Sequence, residues 1–249
     1  MTTKELDWTG NVQNGARGLK ARRVQEWLGL QGESVDVDGD FGTATETAVR
    51  RFQAREGVPV TGLVDEPTFV RLTAPMRNAL RPIPANGRRL GQLVVAYAQQ
   101  HMAQSPREIG GDNMGPWVRL YNGADGPEQK WCAGFVSTIL RLACATMSTS
   151  LPITPSVSCD ELAGSAKRNG RFLAEKDVAA NGGVAAGMLF LVRSKKNTKD
   201  WVHTGIVTGT QGDDVFLTIE GNTDHAGSSN GFEASARTRG FDRKDFVVV

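Results

Sequence analysis

The sequence predicts an α+β protein, with a helical first part and a second part in which helices precede an antiparallel sheet. Apolar residues recur at helical spacing through residues 19–72, and glycine turns separate the segments. A long apolar run at 131–142 is typical of a buried helix. Near the end of the chain, three short apolar runs separated by Gly, Asn and Asp turns indicate antiparallel rather than parallel strands.

Composition excludes two classes of protein. The 249 residues include 29 Lys and Arg against 27 Asp and Glu, so the formal net charge is only +2. A nucleic-acid-binding protein usually carries a dense basic stripe, and we therefore expect no nucleic-acid partner. The longest apolar stretch, 184–192, is far shorter than the ~20 residues of a membrane-spanning helix, so we expect no stable membrane insertion.

Neither the cysteines nor the histidines form a metal-binding pattern. The three cysteines contain no CxxC pair, and a disulfide framework is typical of much smaller chains. His101, His203 and His225 are far apart and show neither HxxxH nor HxH spacing. We therefore expect no metal and no cofactor, which leaves a free thiol as the chemically interesting group.

A proline-rich segment divides the chain. Pro75, Pro82 and Pro84 interrupt residues 74–89 and deny this stretch a continuous helix. We expect a first domain at 11–75, a linker at 76–89 and a second domain at 90–249.

The first domain contains a short internal repeat. DGDFG at 38–42 and TGLVD at 61–65 each place a glycine turn before a helix start, so three short helices are the simplest interpretation. The string VQEWLGL…VDGDFGTATETAVRRFQAREGVPVTGLVDEPTFVRL resembles the peptidoglycan-binding domain type 1 family over residues 15–74. That resemblance implies a compact three-helix module and bacterial peptidoglycan as its partner.

In the second domain, Cys132 is predicted to lie in the first turn of a helix. Gly126-Pro127 precedes it closely, and the apolar run begins at Trp131. A helix N-terminus presents unpaired N–H groups and about half a positive charge, which favours thiolate over thiol. Because the thiolate is the nucleophile, Cys132 becomes a candidate catalytic residue if a base lies nearby.

The candidate base lies in the predicted sheet. His203 is early on one strand and Glu220 ends the next, and these positions are neighbours in an antiparallel meander. A carboxylate there would fix the imidazole tautomer and stabilise the imidazolium. Asp224 is the alternative carboxylate. The predicted strands are 187–192, 201–207 and 215–219.

The order WCAGFV…HTGIV…EGN resembles the CHAP family, cysteine- and histidine-dependent amidohydrolases/peptidases of the papain-like NlpC/P60 group, over residues 90–249. The resemblance implies a papain-like domain with helices packed on an antiparallel sheet. It also implies Cys132 as nucleophile and His203 as base. Glu220 would orient His203, and Asn222 would support that network or the substrate.

Further side chains are candidates for contacts around Cys132. Its own backbone N–H is the natural oxyanion donor, with Gln129 as a second candidate. Trp131, Glu108 and Asn113 are candidates for substrate contacts in the same cleft.

The other cysteines and histidines are expected to be structural. Cys144 points about 120° away from Cys132 on the same helix, which suits a core contact. We interpret Cys159 as a packed residue too. His101 is expected to be partly exposed, and His225 to lie in a loop at the surface or at the rim of a substrate site.

Together the two resemblances predict a modular peptidoglycan hydrolase, either an N-acetylmuramoyl-L-alanine amidase or a stem or cross-bridge endopeptidase. Two alternatives stay open: a wall-binding protein with an inactive catalytic half, and an amidase acting on a non-wall amide. The first residues, MTTKELDWTG, show no apolar signal region. We therefore expect a monomer made in the cytoplasm that acts in the periplasm or cell wall after delivery by a phage holin or a secretion system. A secreted effector would also have a cognate immunity protein.

Overall fold

The computed structural model describes residues 3–212, 214–224 and 230–249, and it has the predicted α+β architecture. His225 lies outside the described residues. Within the described ranges, eight α-helices precede six strands, and no helix has the length and apolar character needed to cross a bilayer. The helices are α1 (Leu19–Leu30), α2 (Thr43–Glu56), α3 (Glu66–Leu72), α4 (Ala74–Ala79), α5 (Leu90–Met102), α6 (Pro116–Asn122), α7 (Cys132–Met147) and α8 (Cys159–Arg168). The strands are β1 (Phe172–Leu173), β2 (Leu189–Arg193), β3 (Trp201–Gln211), β4 (Val215–Thr223), β5 (Glu233–Gly240) and β6 (Lys244–Val247).

Two buried glutamines explain how the internal repeat folds. The Gln25 side chain on α1 accepts a hydrogen bond from the Gly39 N–H and donates to Asp38. The Gln53 side chain on α2 accepts from the Gly62 N–H and donates to the Leu63 carbonyl. Each glutamine thus satisfies the backbone of one glycine turn, which would otherwise leave polar groups unpaired against the core.

The segment that we expect to be a linker begins within a helix. Met76 and Ala79 on α4 are fully buried, and α4 packs against α5. Residues 80–89 then connect α4 to α5 without a further helix.

Our expectation that His101 is partly exposed was wrong. Its side chain is fully buried on α5, and its Nδ1 lies 3.0 Å from the hydroxyl of Tyr121 on α6. Burial lowers the pKa of His101 to about 3, so the ring is neutral at physiological pH.

All six strands form one antiparallel sheet in the order β1-β6-β2-β3-β4-β5. Along β2, Leu189 and Leu191 belong to the large core, whereas Phe190 belongs to a smaller apolar cluster with Phe216 and Phe246. Alternate residues therefore face opposite sides of the sheet. Both α5 and α7 pack against β3 and β4, which carry the candidate site residues.

The helical first part packs against the segment that leads to Cys132. Trp27 on α1 meets Trp117 on α6 edge to face, with ring centroids 6.4 Å apart. The guanidinium of Arg107 donates to the Leu30 carbonyl at 3.1 Å. One continuous hydrophobic core includes residues from both parts of the chain.

Arg119 on α6 binds three carboxylates, two of which lie in the first part of the chain. It donates to Glu5 at 2.8 Å, to Glu26 at 2.6 Å and to Asp125 at 2.6 Å. Glu26 lies on α1 and is almost completely buried. Although burial lowers the pKa of Arg119, the carboxylates of Glu5 and Glu26 raise it overall, so the guanidinium stays charged.

We expect Arg119→Ala to lower the free energy of unfolding by about 3 kcal/mol, because it removes the closer of the two cations paired with the buried Glu26 carboxylate and leaves only Arg22. Urea unfolding of the full chain measures this change. Arg50→Ala is the matched control, since it removes an exposed pair with Glu46 and should change stability little. Equal stability of the two variants would show that the Arg119 contacts do not stabilise the fold.

Candidate active site

Cys132 is the first residue of α7, which confirms the predicted placement. The first N–H groups of an α-helix have no partner within the helix, and Trp131 at the N-cap position makes no capping hydrogen bond. The Cys132 side chain is buried, with 3% of its surface exposed. The thiol therefore lies at the positive end of a helix and is shielded from water. The positive end of the helix favours the thiolate form.

The β3–β4 hairpin brings His203 and Glu220 together, as the antiparallel pattern predicts. The Nε2 atom of His203 lies 2.8 Å from Oε2 of Glu220, and both side chains are buried. Glycine at 205 makes room for this contact, because a Cβ there would lie 2.7 Å from Cγ of Glu220. A Cβ at Gly221 would likewise lie 2.8 Å from Cβ of Phe135, so glycine allows β4 to approach α7.

Glu220 is held by more donors than the sequence suggests. Its Oε1 accepts from the Thr218 hydroxyl at 2.6 Å and from Arg239 Nε at 2.8 Å. Its Oε2 accepts from His203 and from the Arg239 Nη2 group. Burial would raise the pKa of Glu220, but Arg239 and His203 outweigh it and lower the pKa to about 2. Glu220 is therefore a fixed carboxylate, and Arg239 is a site residue that sequence reasoning missed.

Cys132 and His203 each stabilise the charged form of the other, the thiolate and the imidazolium. The pKa of Cys132 is well below its usual range, first because of a hydrogen bond from Cys159 and then because of the positive charge of His203, against the opposing effect of burial. Burial alone would lower the pKa of His203, but Cys132 and Glu220 raise it to about 9. These directions describe a thiolate–imidazolium pair.

Glu220 occupies only one of the two nitrogens of the His203 ring. Nε2 is committed to Glu220, and Nδ1 has no hydrogen-bond partner among the residues that the structure describes. In the imidazolium both ring nitrogens carry a proton, so Nε2–H donates to Glu220 and Nδ1–H remains for the thiolate or for a substrate group. A cysteine, a histidine and a carboxylate in this order can carry out nucleophilic catalysis.

Cys159 lies beside the candidate nucleophile. Its sulfur is 3.9 Å from the Cys132 sulfur, and it is the first residue of α8, where the Ser158 hydroxyl caps the helix. The expected burial of Cys159 was correct, but we did not predict its contact with Cys132. The hydrogen bond to the Cys132 thiolate is the main cause that raises the pKa of Cys159 well above its usual range, so Cys159 is the protonated partner.

Four other predicted residues form a second network. Glu108 accepts from Trp131 Nε1 at 2.9 Å and from the Asn113 N–H at 2.7 Å. Asn222 Nδ2 donates to Glu108 at 3.3 Å and to Asn113 Oδ1 at 3.1 Å. Burial raises the pKa of Glu108 against these hydrogen bonds. Asn222 therefore ties the end of β4 to the 108–113 loop, rather than bonding to the pair of His203 and Glu220.

Trp131 has a structural role in the core. It is fully buried and stacks on Tyr121, with ring centroids 5.3 Å apart, so it offers no surface to a substrate. Gln129 lies in the turn before α7, where its backbone carbonyl accepts from Asn122 Nδ2 at 3.0 Å. Its role as an oxyanion donor stays a prediction. Within the described ranges, no three or more His, Cys, Asp and Glu side chains are grouped as a metal site requires.

Comparison with known proteins identifies the first part of the chain. Residues 17–72 match the family described as peptidoglycan binding domain, which confirms the predicted wall-binding module. The zinc D-Ala-D-Ala carboxypeptidase of Streptomyces albus G is 34% identical over 68 residues, which are 26% of this chain and 27% of that protein. The chain thus spans about a quarter of the length of this curated relative.

Two crystal structures are also similar to part of the chain. The SleB N-terminal domain is 34% identical, with 27% of this chain and 96% of that one covered at a TM-score of 0.27. A Burkholderia AP3 phage endolysin is 22% identical, with 43% and 42% covered at a TM-score of 0.26. The resemblance of residues 90–249 to the CHAP family stays a prediction.

Proposed function

Because residues 17–72 are a peptidoglycan-binding domain, we propose that the chain is a peptidoglycan hydrolase that cleaves a wall amide through Cys132. The observation that carries this proposal is a buried cysteine at the start of α7, which packs against the strand of His203, together with the hydrogen-bonded series His203, Glu220 and Arg239. The bond cleaved is either that between N-acetylmuramic acid and L-alanine or a peptide bond of the stem or cross-bridge. A cysteine on a helix start, a histidine on a strand and an antiparallel sheet support a papain-like, CHAP-type assignment for residues 90–249.

In the first half of the reaction the Cys132 thiolate attacks the carbonyl carbon of the amide. The C–S bond forms and the carbonyl oxygen becomes an oxyanion, for which the backbone N–H of Cys132 is the donor at the helix start. His203 then gives the Nδ1 proton to the leaving nitrogen, so that the C–N bond breaks and an amine departs. The product on the enzyme is a thioester.

In the second half, neutral His203 accepts a proton from water, and the resulting hydroxide attacks the thioester. The C–S bond breaks, a carboxylic acid is released and the thiolate–imidazolium pair is restored. Glu220 accepts from Nε2 throughout, so it fixes the tautomer and stabilises the imidazolium each time it forms. Arg239 keeps Glu220 ionised and acts as a positioning residue.

The binding module supplies substrate to this site. Tethering a catalyst to a weak wall binder raises the local concentration of wall amides. Neither the affinity of the binding module nor that of the catalytic site for the wall then needs to be high. Since α1 packs against α6 through Trp27 and Trp117, the module also holds a defined position relative to Cys132. This placement supports action on polymeric peptidoglycan rather than on a small soluble amide.

Purified sacculi distinguish cysteine from metal chemistry. Alkylation of the protein with iodoacetamide should lower the release of soluble fragments at least about 100-fold, because it blocks the nucleophile. A chelator such as EDTA should leave the release unchanged. The opposite pattern, in which the chelator inhibits and alkylation does not, would overturn the proposed mechanism in favour of metal-dependent hydrolysis.

The two shifted pKa values predict a pH dependence. Since the pKa of Cys132 is lowered, its thiolate should react with iodoacetamide at about pH 6, where an ordinary thiol is protonated. Since the pKa of His203 is raised to about 9, hydrolysis should fall as pH rises through that value and the general acid is lost. His203→Ala should slow labelling of Cys132 at about pH 6 at least tenfold or so.

Peptide-resolved mass spectrometry measures that labelling. His101→Asn is the matched control, since it removes another buried histidine that contacts Tyr121 rather than Cys132. Labelling at the wild-type rate in the His203 variant would show that His203 does not control the Cys132 thiolate.

A further inference from the structure

Two cysteines from different helices meet in the candidate active site. Cys132 begins α7, Cys159 begins α8, and their sulfur atoms are 3.9 Å apart. A disulfide requires about 2.05 Å between the sulfurs, so rotation of the two side chains must close a gap of about 2 Å. Cys144, the remaining cysteine, lies about 120° further round α7 and cannot take part in this contact.

We propose that Cys132 and Cys159 form a reversible disulfide when the protein meets a hydroperoxide, with Cys159 as the resolving thiol. The formation of the bond follows from the thiol pair alone. Its consequence, the arrest of hydrolysis, rests on the proposed function, since a sulfur in a disulfide cannot attack an amide.

In the first step the Cys132 thiolate attacks one oxygen of the hydroperoxide. An S–O bond forms, the O–O bond breaks, and the leaving oxygen departs as water or alcohol after taking a proton from His203. Cys132 is then a sulfenic acid. The low pKa of Cys132 favours this step because the thiolate is the reactive form.

In the second step Cys159 attacks the sulfur of the sulfenic acid. The S–S bond forms, the S–O bond breaks, and the hydroxyl group leaves as water with the proton of the Cys159 thiol. Overall two thiols are oxidised to one disulfide, and one hydroperoxide is reduced to water and an alcohol, or to water alone if it is hydrogen peroxide.

The surroundings of Cys159 suit the second step. Its pKa is raised mainly by its hydrogen bond to the Cys132 thiolate, with burial and the negative charge of Cys132 adding to the effect. A sulfenic acid carries no charge, so oxidation of Cys132 removes the repulsion that keeps Cys159 protonated. The start of α8, a helix of ten residues capped by Ser158, then favours the Cys159 thiolate.

A neighbouring thiol also determines the fate of Cys132. Without a resolving partner, a sulfenic acid is oxidised further to sulfinic acid, which thiol reductants do not reverse. With Cys159 at 3.9 Å, disulfide formation competes with that reaction inside the same site. Reduction by a dithiol would then restore both cysteines.

The test treats the reduced full-length chain with hydrogen peroxide and then maps its peptides without reduction. We expect a linked peptide that joins Cys132 to Cys159, and full recovery of Cys132 labelling by iodoacetamide after dithiothreitol. In Cys159→Ser, recovery of labelling should be lower by about tenfold or more, because sulfinic acid accumulates. Cys159→Ala serves the same purpose if the serine variant does not fold, and Cys144→Ala is the control that keeps the pair.

Peroxide-treated wild type that yields Cys132 sulfinic acid without a linked peptide would overturn the inference. Equal recovery of Cys132 in the Cys159 variants would overturn it as well. These readouts do not depend on hydrolysis. A linked peptide in a protein that never cleaves sacculi would uphold the disulfide and refute the proposed function. Cleavage of sacculi by a protein that forms no linked peptide would uphold the proposed function and refute the disulfide.

Discussion

Cys132→Ala is expected to abolish the release of soluble fragments from purified sacculi, with a fall in rate of about 10³-fold or more. The variant lacks the only atom that can form the thioester in the proposed mechanism, and His203 cannot replace it from the strand. Binding to sacculi should persist, because the wall-binding module at 17–72 is separate from the substituted residue. Dye-labelled sacculi report release, and co-sedimentation reports binding.

Cys144→Ala is the matched control for this prediction. It makes the same chemical change at a buried position of the same helix, but more than three turns after the helix start that holds Cys132. Fragment release should stay near the wild-type rate. Retention of more than about a tenth of the wild-type rate in Cys132→Ala would rule out Cys132 as the nucleophile.

Glu220→Gln is expected to lower both activity and stability. The amide keeps the shape of the side chain but removes the charge that Arg239 and His203 share, and breaking a buried ion pair costs about 3 kcal/mol. Without the carboxylate the pKa of His203 falls and that of Cys132 rises, so fragment release should drop about 10²-fold to 10⁴-fold. Urea unfolding and sacculus digestion measure the two effects.

Substitution of another buried carboxylate, Asp245, is the control that distinguishes a loss of stability from a loss of catalysis. Asp245 on β6 accepts from Arg193 at 2.8 Å and from Trp201 Nε1 at 3.0 Å, and neither partner is one of the proposed catalytic residues. Asp245→Asn should therefore destabilise the fold to a similar degree while leaving the labelling of Cys132 at low pH unchanged. If Glu220→Gln keeps the wild-type pH profile of labelling, Glu220 is a structural residue only.

Much of this site can be predicted from local patterns in the sequence. Gly126-Pro127 before an apolar run places Cys132 at a helix start, because proline disfavours a helix in the residues before it and the apolar periodicity marks the helix after it. The contact between His203 and Glu220 is predicted by strand direction, since the start of one strand lies beside the end of the next in a meander.

Arg239 was not predicted as a site residue, because its contact with Glu220 depends on the register between β4 and β5. β5 is a largely polar strand, EASARTRG, so apolar alternation does not fix which residues it places beside β4. In the structure Arg239 lies opposite Phe216, and its side chain reaches Glu220. The sequence shows only that two arginines, at 237 and 239, lie on the same face of this strand.

Cys159 could have been placed at a helix start but not beside Cys132. Ser158 and Glu161 form the serine and glutamate of a capping signature, which predicts a helix that begins at Cys159. Which two helix starts meet is a tertiary property. The network of Glu108 and Asn222 is a similar case, since these residues are separated by 114 positions along the chain.

Local sequence patterns also did not predict that the wall-binding module packs against the second part of the chain. Prolines predicted a linker, but the buried residues of α4 and the contacts of Arg119 with Glu5 and Glu26 connect the module to the segment before Cys132. Long side chains such as Arg119 reach partners far away in sequence, so charge pairing of this kind leaves no periodic signal.

The most direct measurement is mass spectrometry of the fragments that the wild-type chain releases from purified sacculi. Cleavage of a wall amide by Cys132 predicts that each new end is a free amine or a carboxylic acid at one defined amide bond, with the glycan strands intact and no fragments in Cys132→Ala. Fragments with cleaved glycosidic bonds, or the same amide products from Cys132→Ala, would contradict the proposal.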